Sequence, residues 1–406
     1  MANTLELGNG KWATGKDTVL AFNDENNNFK PLPFDFTRAS SATVVNKAGL
    51  IETVGSGEPR IDFSNDAKGA LLLEPTRTNR MPNSEDGSTW TLSNITLSSL
   101  SGGLNKEYYQ ITSLGNTGRF DTVKNDWINL TAGTYTASVF AKKGTTDQII
   151  LTSRANSTTQ DKYSVFNLTS GIVVSSNQVT GSIEPYSDGW YKCSITFTNS
   201  GSYTDFASFA FGFNFNSSST DTLFVASPQS EIGSYATSYI PTSGSAATRS
   251  ADSSSQTPPS GIIGQTEGTM FFEIDFANIS GVSGAWSISN GSSANRITMN
   301  TTTSSSTEFI LSVAQNYNSG STKLASTNVT YSDNHKVAIK YSATTLKLFV
   351  DGQLADSVAT DGFGNYTNFY LGGNHSGVYG GDTRKFIQAD LYNTALTDAE
   401  LQALTT

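Results

Sequence analysis

The sequence predicts an all-β protein, with an irregular N-terminal segment followed by two antiparallel β-sandwich, jelly-roll domains. Three observations predict it: helical periodicity is scarce, short runs of alternating apolar and polar residues recur, and those runs are bounded by Gly, Asn, Asp and Ser. The 406 residues, 11% of them aromatic, are enough to fill more than one core. Charged residues make up only 15%, and the net charge of −10 has the wrong sign for neutralising phosphates, which excludes general nucleic-acid binding.

Residues 1–80 read as extended and irregular. Pro31, Pro33, Pro59, Pro75 and, just beyond, Pro82 are half of the ten prolines, and continuous periodicity is too short for an independent core. This segment is expected to pack on partner chains. Asp24, Asn26 and Asn28 imitate the start of a calcium loop. Phe29 stands where that loop needs glycine and Asp35 where it needs glutamate, so an Asx-rich turn is the reading.

Residues 81–248 form the first predicted sandwich. From Thr134 to Ala141, Tyr135, Ala137, Val139 and Ala141 share a face, with Phe140 the apolar exception on the other. From Trp190 to Phe197, Tyr191, Cys193, Ile195 and Phe197 lie opposite Trp190, Lys192, Ser194 and Thr196, so Cys193 points into a core. Phe209, Phe211, Phe213 and Phe215 alternate with small residues and are expected to bury a seam between subunits. Residues 249–267, with Ser253-Ser254-Ser255 and Pro258-Pro259, read as a linker.

Residues 268–406 form the second predicted sandwich. Met270, Phe272, Ile274 and Phe276 alternate with Thr269, Phe271, Glu273 and Asp275; Val337, Ile339 and Tyr341 make a second set, and Leu346, Leu348 and Val350 a third. Asp351-Gly352 is a hairpin turn signal. Thr397 and Glu400, three residues apart, form the signature of a capped helix start.

A single cysteine, Cys193, excludes an intrachain disulfide and a thiolate zinc cage. The N-terminus lacks a basic start and an apolar run, and no stretch approaches ~20 consecutive apolar residues, so membrane insertion is not expected. The chain is expected to be made in a cytoplasm, yet its hydroxyl- and amide-rich composition with few lysines is typical of proteins that work outside cells.

The segments Phe34 to Thr43, Asn46 to Glu52, Glu58 to Phe63 and Leu71 to Asn79 closely resemble a recurring part of bacteriophage virion fibre and spike proteins. In those proteins it precedes a sandwich similar to carbohydrate-binding modules. Gly189 to Cys193 and the run Glu231 to Thr242 look like that family's closing signature, so the resemblance covers residues 34 to about 250. The C-terminal region resembles laminin-G-like, concanavalin-type jelly rolls at His335 to Ile339, Leu346 to Gly352, Tyr370 to Gly373 and Ala389 to Thr397. The resemblance implies a head or tail fibre made in the host cytoplasm and released in the virion by lysis. Its implied partners are other capsid or tail proteins, a host-surface polysaccharide and its own copies, with a homotrimer favoured. No cofactor is expected; calcium is compatible with the C-terminal resemblance, with no ligands assigned.

Enzymatic chemistry has weak support. Glu273-Ile274-Asp275-Phe276-Ala277-Asn278 approaches the Glu-x-Asp-x-x-Glu run of laminarinase-like hydrolases, but Asn278 stands in place of the acid that would protonate the leaving oxygen. Cys193 lies on an apolar face, far in sequence from His335 and His375, and reads as inert. The alternatives to adhesion are a polysaccharide depolymerase and a purely structural decoration protein. Sugar binding needs aromatic faces flanked by amides and carboxylates that hydrogen-bond the hydroxyls. The loops at 361–366 and 373–379 offer that mixture, making Tyr366, Asn374, His375 and Tyr379 the candidates, with Trp127 and Trp190 a second possible platform in the middle domain.

Overall fold

The computed structural model describes residues 5–23, 30–115, 121–124, 131–155, 162–199, 207–214, 217–258, 261–276, 278–279, 282–305, 307–318, 322–331, 334–360, 362–373 and 382–406. Among them the chain is all-β, with a single α-helix, Asp398–Thr405. It divides into two compact units: Met1–Ser41, Val54–Thr76 and Ser250–Thr406 in one, Ala42–Thr53 and Arg77–Arg249 in the other.

The first unit is a sandwich built from two rows of antiparallel strands. One row runs Gln353–Ala359, Thr345–Val350, Asn334–Tyr341, Gly268–Asp275, Arg384–Tyr392. The other runs Lys323–Thr330, Glu308–Asn316, Arg296–Thr303, Val282–Ser289, Asn368–Leu371. The N-terminal strands Leu5–Gly8, Thr18–Asn23 and Lys30–Thr37, followed by Ser253–Gln256, connect the two rows into one ladder. This corrects two expectations, because the segment read as irregular and the stretch read as a linker both supply strands to the C-terminal sandwich. Leu5, Leu7, Val19, Ala21, Phe34 and Phe36 alternate within strands too short to register as a domain, and they are buried in its core. Pro33 is tolerated because the second ladder of its strand begins only at Asp35, where no missing N–H interrupts it.

The predicted alternations hold in this unit. Met270, Phe272, Ile274, Phe276, Val337, Ile339, Tyr341, Leu346 and Leu348 all lie in the main core. Phe271 faces the other way, against Ala338, Phe349 and Leu401 of the helix. That helix starts at the predicted capping box: Glu400 N donates to Thr397 Oγ1 at 3.3 Å and Thr397 N donates to Glu400 Oε2 at 2.7 Å. Asp351 and Gly352, at φ 48° and 80°, make the left-handed two-residue turn between Val350 and Gln353. His335, at the start of its strand, is held by both ring nitrogens: Nδ1 lies 2.7 Å from Asp351 Oδ2 and Nε2 3.1 Å from Thr330 O.

Four buried charges meet at the heart of the segments that resemble virion fibres. Arg38 Nη1 lies 3.0 Å from Asp252 Oδ1, Arg60 Nη1 lies 2.6 Å from Glu74 Oε2, and Arg60 also pairs with the second Asp252 oxygen. Asp252 Oδ2 further accepts from Glu74 N at 2.9 Å. Burial opposes the charge on Arg60, yet Asp252 and Glu74 outweigh it and hold that guanidinium's pKa above its ordinary value.

Asp62 forms a smaller buried pair with Lys385 at 3.1 Å and also accepts from the Ser64 hydroxyl. Burial would raise its pKa, but Lys385 and the Ser64 bonds together hold it below the ordinary 3.8. A carboxylate depressed on folding contributes stability above its unfolded pKa and loses it as pH falls through the folded value. The stability deficit of Asp62→Asn against the parent protein is therefore expected to be full at pH 6 and to shrink below about pH 4, measured by urea denaturation at each pH.

The second unit packs two six-stranded antiparallel sheets. The first sheet is ordered Thr91–Ser93, Asp121–Lys124, Ala207–Phe213, Gln148–Ala155, Lys162–Asn167, Ile172–Asn177; the second is ordered Ile95–Gly103, Lys106–Ser113, Thr222–Ile232, Gly133–Lys143, Trp190–Asn199, Thr180–Pro185. Their shared core contains Tyr109, Ile111, Tyr135, Ala137, Val139, Ala141, Cys193, Ile195 and Phe197. Phe209, Phe211 and Phe213 belong to this core as well, which corrects their assignment to a seam between subunits: their alternation marks the inward face of a central strand. Phe215 lies outside the described residues. Glu231, in the closing signature, is buried and accepts from Gln229 Nε2 at 2.9 Å, Thr237 N at 2.8 Å and Thr237 Oγ1 at 2.7 Å.

Cys193 is fully buried in the core, and burial pushes its thiol pKa far up, with Glu184 adding to the shift. Iodoacetamide at pH 8 is expected to leave the native protein unlabelled and to modify one thiol after denaturation in guanidinium, as read by mass spectrometry.

Candidate functional site

The second sheet of the second unit has two different faces. Its inward residues, Tyr109, Ala141, Tyr191 and Val225, meet the core, so their sequence neighbours Tyr108, Lys142, Trp190 and Phe224 point outward. Strand register brings these neighbours together, because Lys142 stands opposite Trp190 on one side and opposite Phe224 on the other. Tyr108 sits edge-on to Trp190, with ring centroids 5.5 Å apart, and edge-on to Phe224 at 6.0 Å.

These side chains, with Ser101, Gly102, Gly103 and Asp188, line a recess of about 250 Å³. Trp190 is its floor, only 2% exposed and supported by Phe140, Leu104, Ile51 and Tyr239. Tyr108 and Phe224 are half-buried walls. Gly103 is required where the first strand crosses the rings: a β-carbon there would stand 2.7 Å from Tyr108 and 2.9 Å from Trp190.

The rim carries one charge of each sign. Lys142 Nζ donates to Asp188 Oδ2 at 2.7 Å, with the lysine side chain 30% and the aspartate 81% exposed. Asp188 adopts the left-handed conformation at φ 55° and ψ 34°, followed by Gly189 at φ 72°. The turn is fixed from both sides. Tyr186 N donates to Trp190 O at 2.8 Å, and Ser187 Oγ donates to Gly49 O at 2.7 Å. Gly49 belongs to a loop whose Asn46 side chain accepts from Ala48 N at 3.0 Å and Leu50 N at 3.1 Å. The Asn46 to Glu52 segment of the virion-fibre resemblance thus positions the rim carboxylate.

Of the residues singled out in the sequence, Trp190 is in this site, beneath the recess rather than across an open surface. Trp127, its expected partner in a platform, lies outside the described residues, as do Asn374, His375 and Tyr379 and the Asp24, Asn26 and Asn28 turn. Tyr366 is corrected: it is 2% exposed, its ring stands edge-on to Tyr341 at 6.2 Å, and its backbone exchanges hydrogen bonds with the Gln265 side chain at 2.9 and 3.0 Å. The core of the first unit takes that ring, so it offers no face to a ligand. Tyr108, Phe224, Lys142 and Asp188 escaped the sequence reading. The available signal was the alternation across Tyr108-Tyr109 and across Ala141-Lys142, which leaves one member of each pair outside the core.

The carboxylates considered for catalysis are held in other contacts. Glu273 lies 3.6 Å from Lys68 Nζ, and Asp275 Oδ2 accepts from Asn65 Nδ2 at 3.2 Å. Among the described residues, no group of three or more His, Cys, Asp or Glu is arranged to hold a metal ion, and no helix is long and apolar enough to cross a membrane.

No protein-family profile matches the sequence, nor does any curated protein. Among solved structures, the CBM40 of Ruminococcus gnavus IT-sialidase, bound to α2,3-sialyllactose, aligns with 35% of this chain and 84% of its own at 18% identity and a TM-score of 0.29. The leech intramolecular trans-sialidase aligns with 35% of this chain and 23% of its own at 19% identity and 0.29. A heptameric SAP-like pentraxin from Limulus polyphemus aligns with 35% and 70% at 13% identity and 0.29. These are partial, shallow likenesses, and the functional reading rests on the recess itself.

Proposed function

We propose that this protein is a non-catalytic glycan-binding adhesin whose outward-facing recess on the second unit receives a sugar. The observation that carries this reading is the combination of an aromatic floor and walls, Trp190, Tyr108 and Phe224, with the Lys142–Asp188 pair at the rim. A pyranose ring is amphipathic in the same sense: its C–H face packs against aromatic rings while its hydroxyls need donors and acceptors at the edge.

The resemblance at residues 34–79 and 231–242 supports placing the adhesin on a tailed-phage particle, as a head or tail fibre facing a host-surface polysaccharide. Such a site gains from repetition, since linked copies that engage together raise avidity by about 10²–10⁴ without any new contact. A homotrimer fits that requirement.

The direct test is isothermal titration of the full chain with a panel of host-surface oligosaccharides and their constituent sugars. Saturable binding, with no change in the glycan by mass spectrometry, is the expected result. A released fragment would favour a depolymerase, and no binding across the panel would leave only the structural role.

A further inference from the structure

We propose that the recess is selective for a single neutral sugar ring with adjacent unsubstituted hydroxyls, and that Asp188 is the residue that sets this preference against acidic sugars. The inference rests on the glycan-binding reading above and specifies its ligand class.

Size is the first argument. At about 250 Å³ the recess falls just below the ~300 Å³ at which pockets for drug-sized ligands begin, which suits one ring rather than an extended chain.

Charge is the second. Among the lining residues only Lys142 and Asp188 are ionised, and at 2.7 Å they pair, so the recess is neutral as a whole while the chain carries −10. A sugar carboxylate entering it would have to displace Asp188 from Lys142 and would meet a like charge that is 81% exposed at the rim. A neutral ring meets no such opposition. The pair offers an acceptor and a donor side by side, which is what two neighbouring hydroxyls need, one donating to the carboxylate and the other accepting from the ammonium.

Preorganisation is the third. The left-handed backbone of Asp188, the Gly189 that follows, and the Ser187 bond to Gly49 fix the carboxylate beside Lys142 before any ligand arrives. The turn thus presents a defined hydrogen-bonding edge above the rings.

The test compares methyl hexopyranosides with the corresponding methyl hexopyranosiduronates by calorimetry, using the full chain and Asp188→Asn. Asparagine tolerates the left-handed conformation, so the turn is retained while Lys142 loses its counter-charge. The parent protein is expected to bind the best neutral glycoside at least about tenfold more tightly than its uronate. Asp188→Asn is expected to shift that ratio at least about tenfold toward the uronate, and Lys142→Gln added to it should cancel the shift. A parent protein that prefers the uronate, or a ratio unchanged in a folded Asp188→Asn, would overturn the inference while leaving glycan binding in place. Absence of binding to both classes would instead remove the glycan-binding reading and the inference with it.

Discussion

Asp252→Asn is expected to destabilise the first unit by about 3–5 kcal/mol, the range for breaking a buried ion pair by removing one partner. Asp252 is fully buried and serves Arg38 and Arg60 at once, and Glu74 pairs with Arg60. Asparagine has nearly the same shape, but it removes the charge and turns an amide N–H₂ toward guanidinium donors. Two cations would then share one carboxylate in a site that water cannot reach. Hydrogen exchange of the Gly268–Asp275 amides, in the central strand of this unit, reads the effect locally as a lowered opening free energy. A change under about 1 kcal/mol would mean that the network is not what holds these segments together.

Tyr108→Ala is expected to weaken glycan binding by at least about tenfold, equivalent to about 1.4 kcal/mol. The ring is a half-exposed wall of the recess and holds Trp190 and Phe224 in edge contact, so its removal takes away both a stacking surface and the shape of the floor. Phe224→Ala should act in the same direction. Tyr366→Phe, in the core of the other unit, should leave affinity unchanged, which separates the recess from the loop that the sequence first suggested. Equal affinity for Tyr108→Ala and the parent protein, with both folded, would place the sugar elsewhere.

Local pattern made much of the fold legible. Alternation at Tyr191, Cys193, Ile195 and Phe197 placed one face in a core, Asp351-Gly352 marked its turn, and Thr397 with Glu400 marked the helix start. Domain membership was not legible, because it depends on pairings across most of the chain. Leu5–Gly8 pairs with Arg384–Tyr392, and Asp252, in a serine-rich stretch that looked like a linker, closes an ion network with Arg38 and Arg60. The segments that resemble virion fibres therefore also contribute Arg38, Arg60 and Glu74 to this buried ion network.

The candidate site was hidden for the same reason. Tyr108, Lys142, Trp190 and Phe224 come from four strands that are neighbours only through sheet order, and Asp188 comes from the turn before Trp190. Trp190 attracted notice as a tryptophan, but the alternation that turns Tyr109 into the core and Tyr108 outward does not say what the outward ring meets. The glycine-rich loop at Tyr366 had the composition of a sugar-binding loop. Its tyrosine instead fills the first unit's core beside Tyr341, and composition cannot separate those two uses of a ring.

The most direct test of the recess as the binding site is an amide and indole NMR titration of the full chain with the tightest sugar from the panel. Trp190 forms the floor, whereas Trp90 and Trp286 lie in the two sandwich cores. The indole N–H signal of Trp190 is expected to shift with ligand more than those of Trp90 and Trp286, together with backbone amides of Gly103, Lys142 and Asp188. Saturable binding that leaves Trp190 and these amides unmoved would contradict the account.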